Sequence, residues 1–209
     1  STTPGDTSAP RTAEPTGTDA PIPTVTPTAP PVRDLAAAKA ALAQSGYRGT
    51  PIRLTYTGDR PLHGIDLAGV AKVVRAQLAQ VGIRVTLAPV PHAKARADVD
   101  SGRTAMALWS WAPEFADAEA ALAFGPGGHL GRRAGWVLGV DQAMDELTEA
   151  TRTSFGDERP GAFARWQLQM NLLGPFVPLF QPAAHYAHGD RVTELPRSPL
   201  VAIELPHVR

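Results

Sequence analysis

The sequence predicts an α/β domain, a mainly parallel sheet covered by helices, preceded by a disordered Pro/Thr-rich segment. Three observations carry that expectation. Stretches of period-two and helical hydrophobicity alternate along the first half of the chain. The stretch between the first two strand patterns is long enough for the crossover that a parallel pair requires. Pro and Thr supply about half of residues 1–32, whereas from Arg33 onward the composition is that of a globular protein.

Residues 1–32 hold almost no large apolar side chain. Such a segment cannot bury enough surface to offset its ordering entropy, so it reads as a linker. A Pro-rich docking ligand is the alternative, but no basic anchor stands beside a PxxP core. Residues 33–209 then form one domain, large enough for a single core.

Asp34 reads as the N-cap of a helix carrying Leu35, Ala38 and Leu42 and ending at Ser45-Gly46. Ile52–Thr57 alternates as a strand and is closed by Gly58-Asp59. Asp66 caps a long helix with Leu67, Val70, Ala71, Val74, Leu78 and Val81 on one face, and Gly82 ends it. Ile83–Val90 is the second strand. A short helix around Ala93–Ser101 leads through Gly102 into a third strand, Thr104–Trp109. The second half is more helical. Val140, Met144 and Leu147 mark a helix that begins near Asp141 and fades near Thr153. Pro160 suits a first helical turn ahead of Phe163, Trp166, Met170 and Leu173, and Gly174-Pro175 stops that helix. Phe176–Phe180 and Tyr186 suggest short strands, which Pro178, Pro182, Pro196, Pro199 and Pro206 keep irregular or at a sheet edge.

Composition excludes several functions. Twenty basic and twenty acidic residues balance, so no global field favours nucleic acid or an anionic membrane. The absence of cysteine excludes disulfides, zinc-thiolate sites and thiol catalysis, and leaves the compartment open. No apolar run approaches the length of a bilayer span. No basic-then-apolar leader opens the chain at Ser1, so any targeting signal is expected upstream or already removed. The histidines at 63, 92, 129, 185, 188 and 207 form no metal-ligating spacing. His185 and His188 would fall on opposite faces of a strand. No GxSxG elbow, P-loop or GxGxxG opens a helix, and Gly125–Gly128 is a turn-prone loop without a phosphate lysine. Glu114 with Glu119 or Asp117 makes a poor glycosidase pair, because carboxylates so near in sequence rarely flank a substrate from two sides. The expectation is a non-enzymatic protein with no cofactor and no metal.

The stretch Met106–Glu119 carries the candidate site. An apolar strand ends in Trp109, Ser110 and Trp111 and opens into Glu114, Phe115, Asp117 and Glu119. Large aromatic faces beside carboxylates at a strand end suit a cationic or amphipathic small molecule. The plainer alternatives stay open. On a regular strand both indoles share a face, so either could be core, and Glu114 and Asp117 could form a solvated helix start where carboxylates meet the dipole. Trp136, in the Gly-rich loop Phe124–Gly139 with Arg132 and Arg133, reads as flexible surface ahead of a functional loop. Trp166, at helical spacing, reads as core.

Five segments in order resemble one family. Asp34–Tyr47 is similar to a "D…AKALLAEAGY" helix, and Val70–Ile83 and Val85–Leu87 follow it in place. Ser101–Trp111 resembles a "GDFDMALLGW" strand, and Val177–Pro182 resembles "VPLYQP". Together, from Arg33 to about Val192, they resemble the C-terminal half of the family 5 extracellular solute-binding proteins, receptors of peptide and nickel ABC importers. The resemblance implies a type II periplasmic-binding-protein fold, in which this chain supplies most of one lobe and the N-terminal lobe is missing. It implies a peptide or similar cationic ligand, an ABC permease as partner, and an extracytoplasmic, lipid-anchored location. In peptide-binding members an acidic residue three positions after the strand-end tryptophan holds the ligand's ammonium group; counted from Trp111, that is Glu114. Trp111 would then form a cavity wall, with Ser110, Phe115 and Trp109 as further candidates. Asp117–Ala121 departs from the family's Asp-Pro-Asp-Asn-Phe type segment. That departure suits a second expectation, a lipoprotein of this fold turned regulator in cell-envelope mannolipid synthesis, as in an actinobacterial relative. The Ala, Arg and Pro content suits a GC-rich source.

Overall fold

A computed structural model describes residues 32–182 and 187–193. The expected linker, apart from Val32, lies outside the described residues, as do His185, Tyr186, His207 and the last three of the named prolines. Asp34 opens α1 (Leu35–Gln44), accepting from the Ala36 and Ala37 N–H groups at 2.9 Å. Asp66 opens α2 (Leu67–Ala79) in the same way, through Ala68 and Gly69. Each cap satisfies backbone donors that a helix start leaves orphaned, worth about 1 kcal/mol.

The sheet has the order β2-β1-β3, with both pairings parallel. β1 (Ile52–Thr57) lies against β2 (Val85–Val90), from Ile52 opposite Val85 to Thr57 opposite Val90. α3 (His92–Asp100) then carries the chain back across β1 to β3 (Met106–Ala107). β1 is buried on both faces, as a central parallel strand should be. Leu54 and Tyr56 pack with Leu67 and Ala71 of α2. Thr55 and Thr57, on the alternate face, are also buried, and Thr57 Oγ1 lies 3.3 Å from His92 Nδ1 of α3.

The second half holds a 3₁₀ helix (Ala118–Phe124), α4 (His129–Arg133), α5 (Gln142–Arg152) and α6 (Arg159–Leu173). Asp141 caps α5 by accepting from the Met144 N–H at 3.0 Å, and Pro160 stands in the first turn of α6. Leu122, Trp136, Met144, Trp166 and Met170 form a second core. The Trp166 indole N–H donates to Thr148 Oγ1 at 3.0 Å inside it. No described helix is long and apolar enough to cross a membrane.

Four expectations need correction. β2 begins at Val85, not Ile83. β3 keeps two residues of the expected Thr104–Trp109. The Leu108 N–H still donates to Thr55 O at 2.9 Å, but beyond it the chain leaves the sheet and the indoles turn to Phe124. Phe176–Phe180 forms no strand, because Pro175 and Pro178 remove ladder donors. Trp136 is core, at 6 % exposure, not flexible surface. Its N–H donates to Gly131 O at 2.8 Å and its carbonyl accepts from the Gly127 N–H at 3.1 Å, which folds the Gly-rich loop onto the second core.

Candidate ligand-binding site

A cleft of about 550 Å³ opens beside the carboxyl ends of β1 and β3. Crossing to β2 through α2 and back to β3 through α3 makes the gap between β1 and β3 a point where the strand order reverses. Open parallel sheets bind ligands at such points. The volume is ordinary for a small-molecule site.

Five pieces of chain line it, one of them the turn that carries Leu62. Thr55 and Thr57 of β1 give a hydroxyl-bearing floor. The exit of β3 contributes Leu108, Trp109, Ser110, Trp111 and Glu114. From α3 come His92, Ala95, Arg96, Val99 and Asp100, and from α4 His129, Leu130 and Arg133.

Of the residues singled out from sequence, Trp109, Ser110, Trp111 and Glu114 are brought together here. Phe115 is not among the lining residues and is 44 % exposed. Trp109 and Trp111 are 37 % and 38 % exposed, neither sealed in a core nor free in solvent. Trp111 meets Phe124 edge-on with ring centroids 4.9 Å apart, Trp109 lies 6.3 Å from the same ring, and Phe124 meets Phe176 edge-on at 4.9 Å. The indoles are thus braced from behind while part of each surface stays open. Ser110 Oγ lies 3.2 Å from His63 Nε2. His63 has φ 49° and precedes Gly64 at φ 77°, in a tight turn closed by the Leu62–Ile65 bridge. A side chain in that left-handed region costs energy, so the neighbouring structure must hold the turn in place.

The carboxylates divide. Glu114 is exposed to the cleft and has no ion-pair partner among the described residues. Asp117 is the helix start that the plainer reading foresaw. Its side chain accepts from the Glu119 N–H at 2.7 Å, capping the 3₁₀ helix, and takes a hydrogen bond from Arg159 of α6. The Arg159 guanidinium, with the Glu119 N–H, holds the Asp117 carboxyl below the usual carboxylate range.

Sequence reasoning did not reach His63, His92, Arg96, Asp100 or Arg133 as site residues. His92 follows β2 after Pro91 and reaches the cleft from the start of α3. The Arg133 Nη1–Asp100 Oδ1 pair, at 3.1 Å, joins positions too distant in sequence for any local pattern to reveal. Among the described residues, no group of three or more His, Asp or Glu side chains could hold a metal ion.

The fold recurs in solved structures. An oligopeptide-binding protein of Borrelia burgdorferi aligns with TM-score 0.56 and 15 % identity over 68 % of this chain and 28 % of its own. The binding protein DppA of Helicobacter pylori, in complex with the peptide STSA, aligns with TM-score 0.52 and 22 % identity over 66 % of this chain and 27 % of its own. The ABC transporter substrate-binding protein CtaP of Listeria monocytogenes gives TM-score 0.54 and 17 % identity over 66 % and 28 %. The chain therefore spans less than a third of each of these structures. No curated protein matches the chain. Residues 3–127 match the family described as bacterial extracellular solute-binding proteins, family 5 Middle, a stretch that includes both cleft tryptophans and Glu114. On that match, which covers more than half of its length, the chain belongs to the family 5 bacterial extracellular solute-binding proteins.

Proposed function

We propose that this chain is a solute-capturing lobe that works outside the cytoplasmic membrane and takes peptides or similar cationic, amphipathic compounds. One observation carries the reading: Glu114 shares a cleft wall with two half-exposed, braced indoles at the reversal point of a parallel sheet. An unpaired carboxylate beside aromatic walls attracts an amine, and more strongly once a second lobe covers the cleft and water screens it less. Aromatic faces add area and cation–π attraction. Binding, not catalysis, is the role this arrangement suits. A second lobe would close the cleft, an ABC permease would receive the ligand, and a lipid anchor would hold the protein at the cell surface.

A second reading rests on the segment Asp117–Ala121. It builds a capped 3₁₀ helix tied to α6, and Asp117 is spent on Arg159 instead of on a ligand. A chain so altered would serve as an interaction or regulatory lipoprotein of cell-envelope synthesis.

A thermal-shift screen against short peptides separates the two. Capture predicts stabilisation that Glu114→Gln diminishes. No shift across a broad peptide set, together with recovery of a membrane enzyme as a bound partner, supports the regulatory reading.

A further inference from the structure

We propose that the amino end of the sheet, remote from the cleft, is a basic face that docks the protein on the anionic phospholipid headgroups of a membrane surface. The overall charge balance conceals an uneven distribution. Residues 32–92 hold eight Lys and Arg against three Asp and no Glu, whereas residues 93–193 hold nine against twelve Asp and Glu. The three Asp of the first stretch are all engaged by backbone N–H groups. Asp34 and Asp66 cap α1 and α2, and Asp59 accepts from the His92 N–H at 3.0 Å. Every ion pair among the described residues lies beyond His92. The eight cations of the first stretch therefore have no carboxylate partner among the described residues.

Four of them gather where α2 ends and β2 begins. Arg75 and Arg84 line one groove of about 360 Å³ with Ala76, Ala79, Ile83 and Val85. The Arg84 guanidinium donates to the Gly49 carbonyl, and its backbone N–H donates to Tyr47 Oη at 3.1 Å, so Arg48 stands at the same end. Arg33 donates to Gln80 Oε1, one residue past α2. All four arginines are exposed. β1 and β2 run parallel with Ile52 opposite Val85, so the groove and the cleft lie at opposite ends of the sheet. About 20 Å of six-residue strand separates them.

The simpler roles are local: Arg75 complements the carboxyl end of α2, and Arg84 ties β2 to Gly49. Those roles do not account for four guanidiniums gathered without an anion, which repel one another until a partner neutralises them. Guanidinium forks match phosphate oxygens, and the small apolar side chains between Arg75 and Arg84 admit a headgroup closely. A basic cluster of this size suits an anionic lipid surface. The path of the chain favours a membrane over an acidic protein. Residues 1–31 join the domain beside Arg33, so an anchor upstream of them brings this face, and not the cleft, to the bilayer. That argument rests on the extracytoplasmic, anchored location proposed above and is independent of what the cleft takes.

The test is sedimentation of the full 209-residue chain with vesicles of equal parts phosphatidylglycerol and phosphatidylcholine, and with phosphatidylcholine alone. Binding to the mixed vesicles, none to the neutral ones, and a steep loss with added salt are expected. Arg75→Gln with Arg84→Gln should weaken that binding about tenfold or more. Arg152→Gln with Arg165→Gln removes the same charge from α5 and α6 and should change it less than about twofold. Circular dichroism reports folding. If Arg84→Gln does not fold, Lys72→Gln with Arg75→Gln, on the exposed face of α2, takes its place. No binding to the mixed vesicles, or equal loss with both arginine pairs, overturns the docking face. Retention by polyglutamate without vesicle binding overturns it in favour of an acidic protein partner. Peptide capture by the cleft is read separately, so either proposal can fail alone.

Discussion

Trp111 meets Phe124 edge-on at 4.9 Å, and this contact helps join the exit of β3 to the 3₁₀ helix that follows it. Phe124 meets Phe176 in the same geometry, so the cleft wall is braced by a relay that reaches the segment after α6. Edge-to-face pairs are worth about 0.5–1.5 kcal/mol beyond their burial. A double-mutant cycle of Trp111→Ala and Phe124→Ala, read by denaturant unfolding, should return a coupling in that range. A coupling near zero would mean that the indole is not held by Phe124.

The Asp117–Arg159 pair gives stability a pH signature. The folded carboxyl is held below its ordinary value of 3.8, first by the Arg159 hydrogen bond and then by the Glu119 N–H. A depressed carboxyl contributes stability that is fully present above the unfolded value and lost as pH falls through the folded one. Asp117→Asn keeps a capping acceptor but removes the charge. The melting-temperature difference between parent and variant should be flat above about pH 5 and shrink below pH 4. Because the pair is solvent-exposed, the difference should be small and should fall with added salt.

Thr148→Val should destabilise the helical half. It leaves the Trp166 indole N–H, now bonded to Thr148 Oγ1 at 3.0 Å, buried without an acceptor. Such an orphaned donor costs about 1–3 kcal/mol. Adding Trp166→Phe removes the donor as well, so the cost of Thr148→Val should be smaller in that background. Urea denaturation of the four proteins checks the cycle.

Gly131 has no room for a side chain. A Cβ there would overlap the Gly125 carbonyl oxygen, which is backbone and cannot rotate away. Gly131→Ala should cost about 1–3 kcal/mol or more and should open the loop that seats Trp136. Thermal unfolding measures the first effect, and a red-shifted tryptophan emission reports the second.

Much of the first half could be read from the chain because its signals are local. Asp34, Asp66 and Asp141 are caps that a three-residue window reveals, and the apolar stripe from Leu67 to Val81 needs only helical spacing. β3 was overestimated for a physical reason: Trp109 favours a strand, but its packing against Phe124 draws the chain off the sheet. Trp136 was misread because nothing in the Gly-rich loop has a period. Its burial depends on Met144, Trp166 and Met170, which arrive from helices later in the chain. The Arg133–Asp100 and Asp117–Arg159 pairs are likewise products of tertiary structure.

The two hydrophobic clusters have no residue in common: one is centred on Leu54 beneath α2, the other on Trp166. The cleft straddles the seam between them, with Thr55 and Thr57 supplied by the sheet and Leu130 and Arg133 by the helical side. A guest lodged there acts as a rivet. The halves already meet through Trp111–Phe124 and Arg133–Asp100, and a filled seam would add to that coupling, so a loaded protein should melt at higher temperature and more sharply than an empty one.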